Sequence, residues 1–407
     1  MSHTAASAKT IYLDHAATTP IDSAVLQKML PYFGAEYGNP SSMHGSGRRA
    51  GQALARVRTE VADIIGAAPS EIIFTGSGTE SDNLAIKGIA RANREHGNHI
   101  IISAIEHKAV LESAKQLERE GFKVSILPVD GAGMVDVAEC LELVTHRTIL
   151  ISVMYANNEI GTVEPVNELA SALHVWRDAH GRGIFPLLHT DACQAAGALD
   201  IGLKELGVDL MSLNGAKIYG PKGVGMLYKK KDILIQPVIA GGEQEFNLRA
   251  GTENLPFIVG FGEALRIAND SRKVESERLS ELRDYFITKL IQKIPSAIVN
   301  GHKTKRLANN VHISIPHIEG ESILLMLDRH GIEASTGSAC SAYDLKPSHV
   351  LMAIGQTAEF AHGSIRFSLG RSTTKEDLDY VLSVLPGIAK RLSSISALTV
   401  PLQPSIS

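Results

Sequence analysis

Cysteine is scarce in this chain. The 407 residues contain three, Cys140, Cys193 and Cys340, and no Cys-x-x-Cys pair. That usage excludes a disulfide framework and a structural zinc site of the paired-cysteine kind. An excess of one charge is also missing: 40 Lys+Arg stand against 44 Asp+Glu, a net charge of −4. No broad basic face for nucleic acid is therefore expected. No apolar run approaches the ~18 residues a membrane helix needs. The first ten residues show neither a secretory apolar region nor an arginine-rich amphipathic pattern, so the expected location is the cytoplasm. Internal repeats and low-complexity tracts are absent as well. What remains is 44% hydrophobic and 21% charged, the balance of a soluble globular protein. The length suggests roughly two to three domains of ~150 residues.

From Glu71 onward, short apolar runs alternate with helical patterns. Strands are expected at 72–75, 99–103, 123–129, 148–155 and 184–190, with helices at 107–120, 135–143 and 167–180 between them. This β-α-β rhythm predicts an α/β fold with a mostly parallel sheet covered by helices on both faces. Ligands in such folds gather outside the carboxyl ends of the strands. The stretch Val208–Tyr228 reads as a buried strand, a turn at Asn214-Gly215 carrying Lys217, a Gly/Pro-punctuated loop and a second strand. A lysine between apolar neighbours loses hydration, which favours its neutral, nucleophilic amine. From Pro256 to Lys293 a long helical pattern is expected to bridge into a second, smaller α+β unit of short strands and helices. The tail after Ser393 is expected to fray.

The polar residues at the strand ends form a set. Gly76-Ser77-Gly78-Thr79 follows a strand and opens a helix, where free backbone N–H groups and the helix dipole favour a phosphate and Thr79 adds a hydroxyl. His107 follows the next strand end, Asn157 and Asn158 another, then Asp191 with Gln194, then Lys217. A phosphate cradle with a lysine, an aspartate, a glutamine and a histidine on one rim is what pyridoxal 5'-phosphate requires. The lysine bonds the aldehyde, and the aspartate keeps the pyridine nitrogen protonated, which makes the ring an electron sink. Two further residues stand apart. Cys340 lies in a run of small residues, Ala334 to Ala342, which predicts a surface loop with an accessible thiol. Arg366 lies in the last strand, where its guanidinium can grip a carboxylate bidentately or simply pair within the fold. Cys140 sits in a helical pattern and reads as a small buried hydrophobe.

The chain resembles the cysteine desulfurases of the iron–sulfur and nitrogen-fixation type, in the aminotransferase class V family, from Tyr12 to about Leu392. The motifs that carry the resemblance are Leu-Asp-His-Ala-Ala-Thr-Thr-Pro at 13–20, Thr-Glu-Ser-Asp-Asn at 79–83 and Glu-His-Lys at 106–108. Asn-Asn-Glu-Ile-Gly at 157–161, His-Thr-Asp-Ala-Cys-Gln at 189–194 and Lys-Ile-Tyr-Gly-Pro-Lys-Gly at 217–223 continue it. Gly-Ser-Ala-Cys at 337–340 and Ser-Ile-Arg-Phe-Ser-Leu-Gly-Arg at 364–371 complete it.

The resemblance implies the fold type I of pyridoxal phosphate-dependent transferases. A large domain over 20–262 carries a seven-stranded sheet, and 1–19 with 263–407 form the small domain. It implies Lys217 as the Schiff-base lysine, Asp191 on the pyridine nitrogen, Gln194 on the phenolic oxygen and His107 stacked on the ring. Gly78 and Thr79 hold the phosphate, Asn158 and Arg366 meet the substrate, and Cys340 receives sulfur as a persulfide. Thr252 is implied to reach the partner's cofactor in a homodimer. The substrate so implied is L-cysteine, converted to L-alanine, with sulfur passed to an acceptor protein for iron–sulfur clusters or other thio-cofactors. Selenocysteine lyases and aminotransferases share this scaffold, although an aminotransferase has no need of Cys340. A non-catalytic scaffold for sulfur-carrier partners is the remaining alternative. The chain departs from the family at Asn214 and Ala216, where serine and histidine usually help to hold the phosphate.

Overall fold

The computed structural model describes residues 10–337 and 347–396. Cys340 with its loop, and the tail beyond 396, lie outside the described residues.

The described residues form twelve strands: β1 Ile11–Tyr12, β2 Ile72–Thr75, β3 His99–Ser103, β4 Lys123–Leu127, β5 Thr148–Ser152, β6 Leu187–Asp191, β7 Leu210–Asn214, β8 Gly225–Lys229, β9 Ile298–Val299, β10 Asn310–Ser314, β11 Ile332–Glu333 and β12 Ser364–Ser368. Seven of them make one sheet in the order β2-β8-β7-β6-β5-β3-β4. The pairs β3–β4, β3–β5, β5–β6 and β6–β7 run parallel. Only β8 runs against its neighbours β7 and β2. The expected strand over 184–190 starts later, at Leu187. Pro186, with no N–H to give a ladder, holds the preceding residues out of the sheet.

Helices cover both faces of this sheet. One apolar cluster joins Ile101, Ile151, Leu188, Met211 and Met226 to the helix Gly45–Ile65 and the first part of the helix Leu255–Lys293. A second, on the other face, joins Ile100, Ile102, Leu150, Leu187 and Leu210 to Leu84, Ile86, Val110 and Leu117. Because strand side chains alternate, consecutive residues such as Leu187 and Leu188 feed opposite clusters. That is why these strands read as unbroken apolar runs.

The helix Leu255–Lys293 spans 39 residues, about 58 Å at 1.5 Å per residue. It leaves the first core after Ala268 and enters another at Leu279, Phe286 and Leu290. There Phe286 meets Phe367 edge to face, 5.3 Å between ring centres. This core also holds Leu13, Val311, Ile313, Ile365 and Leu385. It surrounds the antiparallel sheet β12-β10-β9 and the parallel pair β1–β11. The long-helix expectation is met in place and in span. No described helix is long and apolar enough to cross a membrane.

Candidate active site

The carboxyl ends of the parallel strands converge on a cleft of about 380 Å³ lined by Gly78, Thr79, His107, Asn158, Asp191, Gln194, Lys217 and Arg366, among others. Eight residues selected from sequence thus share one space. Thr252 does not line it in its own chain; it is exposed. Cys340 lies outside the described residues, but Gly337, three positions before it, is in the wall.

Each side chain arrives there for a local reason. The short 3-10 turn Gly215–Lys217 follows β7, and the Asn214 side chain caps it by accepting from Ala216 N at 3.1 Å. Gly215 must be glycine: a Cβ would stand 2.9 Å from both the Pro221 carbonyl and Val224. The turn delivers Lys217, half-buried, whose Nζ donates to the Ala17 carbonyl at 2.5 Å. Gln194 Nε2 donates to the neighbouring Ala16 carbonyl at 2.9 Å. The 13–20 motif therefore forms the wall against which lysine and glutamine are set. His107 ends the loop after β3 and caps the helix Lys108–Arg119, its Nδ1 accepting from Ala109 N at 3.1 Å. That bond leaves the Nε2 edge as the donor.

On the opposite wall, Ser77 caps the helix beginning at Gly78, accepting from Glu80 N at 3.1 Å. Helical backbone continues through a π segment at Leu84–Gly88 to Ala92. Gly78 is held against Cys193 and Asn214; a Cβ there would meet the Cys193 sulfur at 2.7 Å. Glu80 is drawn away from the cleft, accepting from Gly76 N at 2.8 Å and pairing with Arg249 at 2.9 Å. Gly76 and Arg249 thus hold the Glu80 carboxylate out of the cleft lining.

Arg366 is buried, with Nη1 donating to the Asn158 carbonyl at 2.9 Å and Nη2 paired with Asp14 at 2.8 Å. Arg366 thus pairs within the fold, which is one of its two sequence readings. It has a structural partner, yet its Nε is buried without one, and the residue lines the cleft.

Sequence reading missed several cleft residues: Asp82, Lys108, Glu159, Cys193 and His349. Most sit within a few positions of a recognised motif residue, and only the tertiary path shows which of them face inward. Burial raises the carboxyl of Asp82 well above the usual range, and the Asp191 charge adds to the effect. Glu106 is raised chiefly by burial. Glu159 is pushed up to about 7 by burial, opposed by the hydroxyl of Ser348, which donates to it at 2.5 Å, and by Arg366. Beneath the cleft, His189 bridges the hydroxyls of Ser152 at 2.9 Å and Ser212 at 3.0 Å. Burial lowers its pKa to about 4, so it is a neutral strut between β5, β6 and β7. Cys193 is buried and its thiol raised, first by burial and then by Asp191 and Asp82. Cys140 is buried and pushed up to about 12, the inert core cysteine that the sequence predicts.

The donor set fits pyridoxal phosphate. Asp191 is buried and accepts from Cys193 N at 2.9 Å. It forms no ion pair among the described residues, so a carboxylate faces the cleft without a cation. A protonated pyridine nitrogen meets that need. A lysine amine, a glutamine, a histidine ring edge and the glycine turn at Gly78 surround the same space.

The comparisons agree with this geometry. The model of the aminotransferase class-V family matches residues 11–381. The cysteine desulfurase IscS of Dictyoglomus turgidum is 50% identical over 386 residues, covering 95% of this chain and 96% of the relative. That of Methanosarcina thermophila is 49% identical over 391 residues, covering 96% and 95%. Among solved structures, a NifS-like protein superposes with a TM-score of 0.86 at 37% identity, covering 95% of this chain and all of the other. The structure described as SspA in complex with cysteine gives a TM-score of 0.77 at 35% identity, covering 88% and 99%. With the family model spanning both cores and every strand of the cleft, the chain belongs to the aminotransferase class-V family.

Proposed function

We propose that this chain is a pyridoxal phosphate-dependent cysteine desulfurase, which converts L-cysteine to L-alanine and passes the sulfur to an acceptor protein for iron–sulfur clusters or related thio-cofactors. The observation that carries the reading is the convergence of Lys217, Asp191, Gln194, His107 and Arg366 on one cleft. The desulfurase names of near full-length relatives support it.

In this reading Lys217 holds the cofactor covalently, Asp191 carries the charge opposite its ring nitrogen and Gln194 bonds its phenolic oxygen. Gly78 and Thr79 hold the phosphate. The Asn214 amide, 3.5 Å from where a Gly78 Cβ would stand, takes the place of the family's usual serine. The cofactor supplies an electron sink for the carbanion at the substrate Cα. The remaining work falls to the chain. Arg366, buried and with its Nε–H unspent, orients the substrate carboxylate, and Asn158 borders the same place. The Lys217 amine takes the proton from Cα, and the His107 Nε2 edge carries protons over the cleft. The Cys340 thiolate attacks the substrate sulfur. The S–S bond forms as the Cβ–S bond breaks, the electron pair stays on carbon and a proton completes alanine. Cysteine and one thiol thus become alanine and one persulfide, with no outside oxidant.

Cys340 takes this role from the Gly-Ser-Ala-Cys motif. Thr252, exposed and off its own cleft, is assigned to the partner's phosphate in a homodimer. The two cores support a large domain over 20–262 and a small one from 1–19 and 263–407. The sparse, unpaired cysteines suit a cytoplasmic enzyme.

The test is alanine release from L-cysteine by the Cys340→Ala variant. Loss of alanine and of protein-bound persulfide is expected. Undiminished turnover removes Cys340 as the sulfur acceptor.

A further inference from the structure

Asp82, His107 and Asp191 come together in the wall of the cleft, one ligand atom from each lying within 4.8 Å of the others. Asp82 is 1% exposed and Asp191 6%. The functional reading uses His107 and Asp191 but gives Asp82 no task. Two buried carboxyls face one another here, and an oxygen of Asp82 has no hydrogen-bond partner. The nearest imidazole, His189, stands 3.7 Å from that oxygen and is committed to two serine hydroxyls. Asp82 is placed by the second turn of the helix that opens at Gly78, Asp191 by the end of β6 and His107 by the loop after β3. Three separate elements thus bring one nitrogen and two carboxylates to one point.

We propose that the cofactor-free chain binds a divalent cation of the zinc type through Asp82, His107 and Asp191, in the space that the cofactor ring later takes. Nitrogen and carboxylate ligands in a set of three, with the fourth position open to water from the cleft, suit zinc. Bonds of about 2.0–2.2 Å bring tetrahedral ligand atoms to roughly 3.5 Å of one another, so the three side chains close by about an ångström from their present spread. The cation answers the carboxyls of Asp82 and Asp191 together, beyond what the Ser212 hydroxyl gives Asp82. In exchange, His107 gives up its 3.1 Å bond from Ala109 N. Metal and cofactor then exclude one another, which makes zinc a brake on loading. The competition part rests on the desulfurase reading; the metal site does not.

The test titrates zinc chloride into the full-length chain stripped of cofactor, in buffer free of thiol and chelator, and follows heat. One zinc per chain is expected. Removing even an outer-shell partner of a metal costs about 10–100-fold in affinity. Loss of a ligand in Asp82→Asn, or in His107→Ala at the half-buried position, is therefore expected to weaken binding by at least about 100-fold. Two variants on different elements, each checked by circular dichroism, separate loss of the site from loss of the fold. One equivalent of zinc is expected to slow pyridoxal phosphate uptake, read by absorbance, and a chelator to restore it. Asp82→Asn is expected to load at the same rate with or without zinc. Equal zinc titrations of wild type and both variants, or uptake indifferent to zinc in the wild type, would overturn the inference. Zinc binding through Asp82 in a chain that takes up no pyridoxal phosphate would support the metal site and remove the desulfurase reading.

Discussion

Two pairs of buried carboxylates in this molecule make a contrast. Away from the cleft, Glu245 is gripped by both nitrogens of the Arg58 fork at 2.6 and 2.7 Å and accepts from Phe74 N at 2.8 Å. Asp209 likewise pairs with Arg177 at 2.7 Å and takes Leu188 N at 2.9 Å. At the cleft, Asp191 and Asp82 are equally buried and form no pair with arginine or lysine among the described residues. For Glu245 and Asp209 the chain brings its own counter-ion. Where a ligand is to bind, the counter-ion is left for the ligand to supply. A buried charge short of partners is thus a better marker of function than burial alone.

The largest effect that sharpens this contrast is at the cleft. Lys217→Ala is expected to lower desulfurase turnover by on the order of 10⁴-fold or more, and to abolish cofactor fixation by borohydride at that peptide. The fold should survive, because the lysine is half-buried and lines the cleft rather than a core. Label found on another lysine would move the centre elsewhere.

Next come the two carboxylate groups set against each other. Arg58→Ala leaves Glu245 buried and unpaired, which should cost about 3–5 kcal/mol of stability, read from denaturant midpoints. Asp191→Asn removes a charge that has no partner, so the cofactor-free protein should melt no lower than wild type while cofactor uptake weakens at least tenfold. Similar destabilisation by both would erase the distinction.

A smaller effect is set by pH. Glu164 accepts from Val135 N at 2.9 Å, has its other oxygen unpartnered, and is pushed up to about 8, first by burial. An unfolded glutamate titrates near 4.3. The stability its protonated form contributes is therefore complete below about 4.3 and lost as pH rises through about 8. Glu164→Gln should flatten the fall in urea stability between pH 5 and pH 8.5 by up to a few kcal/mol. An unchanged slope would show that the carboxyl is not held protonated.

The smallest effect belongs to Cys140. As a buried thiol packed against the helices below the sheet, its replacement by alanine should cost about 1 kcal/mol and leave turnover alone. A desulfurase assay on the variant checks it.

Much of this was legible in the chain. The parallel sheet followed from apolar runs broken by helical patterns, and the cleft residues from polar groups placed just after those runs. Both signals are local, since a strand end and the turn after it are neighbours in sequence. The apolar run at Ile11 reads as a short strand, but the helix Ser23–Phe33, the strand β11 and the short helices His349–Ala353 and Ala358–His362 gave no such signal. They are short or held by partners hundreds of residues away, as β11 is held by β1. Asp82 and Glu159 were hidden for the same reason. Nothing in a one-dimensional pattern tells that Asp82 and not Ser81 lines the cleft, or that Glu159 joins Asn158 there.

By itself the sequence determined the chemistry: which residue types stand at the strand ends, and hence a lysine-centred cleft suited to pyridoxal phosphate. Only the tertiary structure decided the charge balance inside that cleft. Whether a buried acid meets its cation depends on distances between elements far apart in the chain. Packing brings Arg58 to Glu245 across 187 positions, and it brings no cation to Asp82.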